Sequence, residues 1–301
     1  MIAEIEEMDN FNTPVILIKR DSSELLCNSS MMVIKGEVGS GKSRLVMNIM
    51  KGLLLGHEDL NLEYTICPED KHILYFSTEM SKYHIQRRLL KVLEDVPQER
   101  KKNLHFFDGS STDDLYADIL IMCEKYPPYV IIIDQLGDMV ININDAEQSK
   151  KLVNKLMNGV GKTDCSIIGI LHQNEDSGIS SKARGHLGSI LEQKVVSSIA
   201  ISDNTKGFHI KSTKIREGKQ LDIKAIFNEK TEMLMEKKFV VTKTLEELKF
   251  PLSRQDMIKE LNLINDCKDR MSADILSKLL SEGTITQYKE GRNVFYNLTT
   301  V

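Results

Sequence analysis

The stretch Gly36-Glu37-Val38-Gly39-Ser40-Gly41-Lys42-Ser43 decides how the rest of this 301-residue sequence is read. It follows a short apolar run, Met31 to Lys35, and opens a helix-like run, Lys42 to Leu55, so the spacing G-x4-G-K-S sits between a predicted strand and a predicted helix. Glycines let the backbone take positive φ and come close to phosphate oxygens. Successive N–H groups and the helix N-terminus then face an anion. Lys42 is placed to reach the β- and γ-phosphates of a nucleoside triphosphate, and Ser43 to coordinate Mg²⁺. The expected ligands are ATP and Mg²⁺, and the nucleotide-contacting set is Gly36, Glu37, Val38, Gly39, Ser40, Gly41, Lys42, Ser43 and Arg44.

Outward from this loop, strand-like and helix-like runs alternate. Strands are predicted at 14–18, 31–35, 72–77, 104–107, 130–134 and 166–171. Helices are predicted at 42–55, 81–95, 113–125 and 146–159. Such alternation with short connections implies a parallel sheet covered on both faces. Val130-Ile131-Ile132-Ile133-Asp134 reads as a buried parallel strand that delivers a carboxylate to the ligand crevice. Asp134 is therefore the expected partner of Ser43 at the metal, although an Asp there could also cap a turn. After Gln173 the pattern changes to consecutive strands at 195–202, 207–213 and 224–227, an antiparallel continuation of the sheet.

Composition adds bounds. The net charge of −4 gives no bulk signal for a nucleic-acid partner, so any basic surface has to be local. The five cysteines are scattered, with no metal-ligand spacing, which fits reduced thiols and a cytoplasmic protein. The first residues are acidic, unlike a signal peptide, and no apolar run approaches the roughly 18 residues of a membrane span.

Beyond the phosphate loop, Leu74-Tyr75-Phe76-Ser77-Thr78-Glu79-Met80-Ser81, followed by Arg87-Arg88-Leu89-Leu90, resembles a second motif of the RecA-type core of hexameric replicative helicases of the DnaB and plasmid RepA kind. The resemblance implies that Glu79 polarises the attacking water. Ile167 to Gln173 resembles the family's third strand, which implies that Gln173, with His172 beside it, senses the γ-phosphate. Arg184-Gly185-His186-Leu187-Gly188-Ser189-Ile190-Leu191-Glu192-Gln193 resembles the segment after a channel-facing loop. That loop would be Asn174 to Ala183, with Lys182 and Arg184 as DNA phosphate contacts; a solvated loop is the competing reading. Lys214-Ile215-Arg216-Glu217-Gly218 resembles an element that acts on ATP bound by a neighbouring subunit. It implies a homo-oligomer, a hexamer in the family, and single-stranded DNA as partner. The resemblance covers residues 14–228 and lacks the DnaB type's N-terminal helical domain, which makes the shorter plasmid, phage and mobile-element ATPases the nearer comparison.

The expected architecture is α/β: a RecA-like P-loop NTPase core over residues 1–240, a linker at 241–251 and a small winged-helix domain at 252–301. In that last segment seven Lys/Arg alternate with seven Asp/Glu. DNA binding and protein docking are therefore both open for it. The expected activity is that of an ATP-hydrolysing, ring-forming helicase or translocase on single-stranded DNA, in replication or mobilisation, with a possible replication or mobilisation partner protein. The alternative is a RecA-like DNA-binding ATPase that regulates or loads without unwinding.

Overall fold

The computed structural model describes residues 14–299 except 59, 111, 113, 174–183, 205–206, 237–247, 249, 266–268, 282 and 292. The chain divides into two compact units, Met1–Lys237 and Lys238–Val301.

In the first unit a small antiparallel sheet is made by β1 (Ile16–Arg20), β2 (Ser23–Cys27) and β4 (Glu63–Tyr64), in the order β2-β1-β4. The main sheet contains β3 (Met31–Gly36), β5 (His72–Ser77), β6 (Leu104–Asp108), β7 (Pro128–Asp134), β8 (Ser166–His172), β9 (Ser197–Asn204), β10 (Gly207–Ile215), β11 (Asp222–Asn228) and β12 (Met233–Glu236). Its nine strands run in the order β12-β11-β10-β9-β3-β8-β7-β5-β6. Every pair from β9 to β6 is parallel, and β10, β11 and β12 continue the sheet antiparallel. This is an α/β fold with a large, mostly parallel central sheet, as the alternating pattern implied.

Strand side chains alternate between faces, and that parity sorts the core into two layers. Met32, Ile34, Tyr75, Ile132 and Ile170 pack with α1 (Lys42–Leu55) and with Val92 of α2 (Lys82–Leu93). Met31, Val33, Phe76, Ile133 and Ile167 pack on the other face against α4 (Leu115–Lys125), α5 (Ala146–Thr163) and α6 (Gly185–Lys194). A single-turn helix, α3 (Gln98–Lys101), precedes β6. Among the described residues no helix is long and apolar enough to cross a membrane.

The structure adds elements that periodicity did not reveal. Helix α6 opens on Gly185 at φ 74 and carries few apolar residues, so its period is faint. Strand β12 lies inside the charge-rich 230–251 stretch. It is only four residues long, and among the described residues its outer edge has no strand partner. Asn48 of α1 takes the place of one, donating to Leu234 O at 2.7 Å and accepting from Leu234 N at 2.9 Å. Both residues are buried, at 1% and 0% exposure.

The second unit contains β13 (Leu252–Ser253), α7 (Arg254–Asn265), α8 (Asp269–Ser281), β14 (Ile285–Glu290) and β15 (Asn293–Leu298), with sheet order β13-β15-β14. Met257, Leu261, Ile275, Leu276, Leu279, Ile285 and Tyr296 form its core. Leu248 and Phe250, in the stretch read as a linker, pack against that core. Strands β14 and β15 form a hairpin in which Glu290 pairs with Asn293.

Asn48→Ala is expected to leave the Leu234 N–H and C=O buried and unpaired, lowering stability by about 1–3 kcal/mol. Thermal unfolding would show this as a lower midpoint, and an unchanged midpoint would contradict the assigned role.

Candidate active site

Parallel register brings the chemistry to one edge. Gly36 is level with His172, and Ser77 is level with both Asp134 and Asp108. The strand ends of β3, β8, β7, β5 and β6 therefore open on the same crevice, where open α/β sheets bind ligands.

The loop between β3 and α1 is built for close approach. Gly39 has φ 78 and Gly41 φ 97, and a Cβ on Gly41 would stand 2.7 Å from the Phe208 ring. Gly36 is equally confined, since its Cβ would meet Ile201 O at 2.4 Å. Lys42 is buried at 6% exposure. Its ammonium donates to Gly36 O at 3.1 Å and Glu37 O at 2.7 Å, and meets His172 Nδ1 at 3.1 Å. These three contacts use its three donors. Burial lowers its pKa, while the Glu79 and Asp134 carboxylates act in the opposite direction.

Because an ammonium only donates, His172 Nδ1 accepts, and the imidazole proton sits on Nε2. That nitrogen lies 2.6 Å from Glu79 Oε1. The hydrogen bond from His172 is the main cause holding the Glu79 carboxyl below its ordinary value, against partial burial. A continuous chain, Lys42–His172–Glu79, thus joins the phosphate loop to the carboxylate named from sequence.

Asp134 is 2% exposed, and burial pushes its carboxyl upward despite the hydrogen bond from Tyr75 Oη at 2.6 Å. Ser43 Oγ lies 3.5 Å from Asp134 Oδ2, a long hydrogen bond. A hydroxyl and a carboxylate this close supply the oxygen donors that Mg²⁺ takes, so the residues fit the ion. Thr78 joins the two strand ends, its backbone N–H donating to Asp134 O at 2.6 Å and its hydroxyl accepting from Gln135 N at 3.0 Å.

Two residues differ from the sequence expectation. His172, not Gln173, is the side chain at the strand end that meets both Lys42 and Glu79. The reason is parity: His172 follows Ile168 and Ile170 on the α1 face. Gln173 instead lines a cleft of about 710 Å³ with Glu37, Val38, Gly39, Ser40 and residues 201–204, its backbone N–H donating to Gly36 O at 3.0 Å. Arg88 carried no role from sequence, yet one of its guanidinium nitrogens is buried without a hydrogen-bond partner. Its charge also acts on Asp134, drawing that carboxyl down. An unmet buried donor beside a phosphate loop suits an anionic ligand group.

Arg44 lies with its guanidinium 4.0 Å from the Phe227 ring centroid and 5.4 Å from that of Phe208. With Met47, His84, Arg87, Arg88 and Lys91 it lines a basic cavity of about 210 Å³ next to the loop. Lys214 and Arg216 are not part of this crevice. Lys214 donates to Glu192 O and to Gln193 O at 3.3 Å. Arg216 donates to Gln193 O, Lys194 O and Val195 O, each at 3.1 Å. Arg184 is exposed at the start of α6, its backbone N–H donating to His172 O at 3.1 Å. Lys182 lies outside the described residues.

Residues 20–178 match the family model of the AAA domain. The chain belongs to this family. The match covers the phosphate loop, Glu79, Asp134 and His172, and it identifies an AAA-type P-loop ATPase. A comparison with curated proteins gives no match.

In this AAA-domain ATPase, removing the imidazole should return the Glu79 carboxyl toward its ordinary value. His172→Ala is therefore expected to move the acid limb of the ATPase pH profile to higher pH, with a lower plateau. A plateau loss without movement of that limb would show that His172 does not set the state of Glu79.

Proposed function

We propose that the protein is an ATP-driven translocase or helicase on single-stranded DNA that works as a RecA-like ring. The observation that carries the reading is the place of Lys214 and Arg216. Lys214 is level with Ser198, and Ser198 with Val33, so the cation pair lies three residues behind Gly36 and two strands to the side. That is about 10 Å along the strands and about 10 Å across them. Neither cation is placed to serve its own phosphate loop, which supports their action on a neighbour's ATP.

Within one subunit the chain's own residues have distinct tasks. The loop N–H groups and Lys42 hold the β- and γ-phosphates, with Lys42 exchanging its carbonyl contacts for phosphate oxygens. Ser43 and Asp134 would hold Mg²⁺, which neutralises phosphate charge when bound. Glu79, kept ionised by His172, orients the attacking water and accepts its proton. Arg88 and Arg44 face the rest of the nucleotide from the basic cavity. Lys214 and Arg216 of the adjoining subunit meet charge that grows on the γ-phosphoryl group. Lys182 and Arg184, repeated around a ring, would contact the strand's phosphates.

The second unit is read as a winged helix, two helices followed by a β-hairpin. Its balanced charge favours the alternative in which the protein regulates or loads a partner without unwinding.

Single-stranded DNA is expected to stimulate ATP hydrolysis, and the double change Lys182→Ala/Arg184→Ala to remove the stimulation but keep the basal rate. Hydrolysis indifferent to DNA would sink the translocase reading; stimulation without unwinding of a forked duplex would select the regulator. Arg216→Ala is expected to lower kcat by about 10³-fold with ATP binding retained. Full turnover by that variant would exclude a role in trans.

A further inference from the structure

Helix α6 is contacted at both ends by groups that belong to nucleotide sites. At its start, the Arg184 N–H donates to the carbonyl of His172, the residue that bridges Lys42 and Glu79. At its end, Lys214 and Arg216 occupy the carbonyls of residues 192–195. Those are the acceptors a helix leaves unsatisfied, and cations are favoured there by the helix dipole. Ten helical residues span about 15 Å and transmit displacement as one body.

One contact fixes this helix to the strand that carries the phosphate loop. Lys35, directly before Gly36, is 1% exposed and forms an ion pair with Glu192 Oε1. Glu192 also accepts from Ser198 Oγ at 3.5 Å, and its backbone carbonyl receives Lys214. The same residue therefore meets the phosphate-loop strand through its carboxylate and the cation pair through its carbonyl. Lys35 is buried while the Glu192 side chain is 25% exposed, so the pair adds little net stability but specifies geometry, because the buried ammonium left alone is costly.

We propose that Glu192, held by Lys35, is a positioning residue that sets where a subunit presents Lys214 and Arg216, so that α6 links a subunit's own ATP site to the site it completes next door. The proposal rests on the trans reading of those two cations. It adds the element that carries the signal and the contact that calibrates it. A phosphate that draws Lys214 and Arg216 away also uncaps α6, whose other end is bonded to His172. The two events cannot be independent.

The test uses poisoned mixtures of the full-length chain. Lys42→Ala inactivates a subunit's own site but leaves its cation pair intact. Wild-type protein is mixed with increasing amounts of Lys42→Ala, or of Lys42→Ala/Glu192→Gln, and ATPase activity per wild-type chain is measured. Assembly is followed by sedimentation with a non-hydrolysable ATP analogue. The expected result is that the double variant enters the assembly equally well and depresses wild-type activity at least three-fold more at equal mixing ratio. Equal depression by both variants, with equal assembly, overturns the proposal alone. A protein that hydrolyses ATP fully as a monomer overturns the trans reading and the proposal with it. The charge-free pair Lys35→Met/Glu192→Met guards against a simple folding defect. It should keep the unfolding midpoint and the affinity for the analogue while kcat falls at least ten-fold. Unchanged kcat in that variant would make the pair purely structural.

Discussion

Side chains on paired parallel strands share a face only when their positions are in register, and this constraint decides which groups can meet at the edge of the sheet. Tyr75 is level with Ile132, so it reaches Asp134, two residues further along the same face. Ile34 is level with Ile170, so Gly36 and His172 end their strands side by side. Lys42 rises from α1 on that same face and finds the imidazole. A one-residue slip in β8 would turn His172 toward α5 and α6 and break the chain from Lys42 to Glu79.

The crevice concentrates charge that water only partly screens. Glu79 and Asp134 act on Lys42, Lys42 acts on Glu79, and Glu79, Lys42 and Arg88 act on Asp134, yet Lys42, Glu79 and Asp134 are each shifted first by a local cause: burial for Lys42 and Asp134, the His172 hydrogen bond for Glu79. The arrangement gives the two carboxylates different characters. Asp134 is dry and held by Tyr75, suited to a fixed cation. Glu79 has a side chain 43% exposed, open to a water molecule and to an incoming phosphate. Electrostatic preorganisation of this sort is the main resource for phosphoryl transfer, where positioning matters more than covalent chemistry.

Much of this was legible from the residues. The phosphate loop announces itself because glycine spacing, lysine and hydroxyl are all demanded by one ligand. The apolar run ending in Asp134 is unambiguous because a strand buried on both faces needs no alternation. Other features were hidden for physical reasons. His172 and Gln173 are adjacent polar residues, and only strand parity separates the one facing Lys42 from the one facing the cleft. Arg88 lies in a basic helix whose exposed surface looks merely solvated, and its buried nitrogen depends on tertiary packing. Helix α6 has too few apolar positions for periodicity to show. Strand β12 pairs with β11, and its Leu234 backbone is satisfied by Asn48, nearly two hundred residues away in sequence, a partner that no local pattern encodes.

Under the proposed function each phosphate loop is half of a site, with the other half supplied by Lys214 and Arg216 of another copy. The most direct measurement is ATPase activity per chain as a function of protein concentration at saturating ATP. Specific activity is expected to fall toward zero on dilution below the concentration at which the chain assembles, and to rise to a plateau above it. Specific activity that stays constant through dilution to the monomer would contradict this reading.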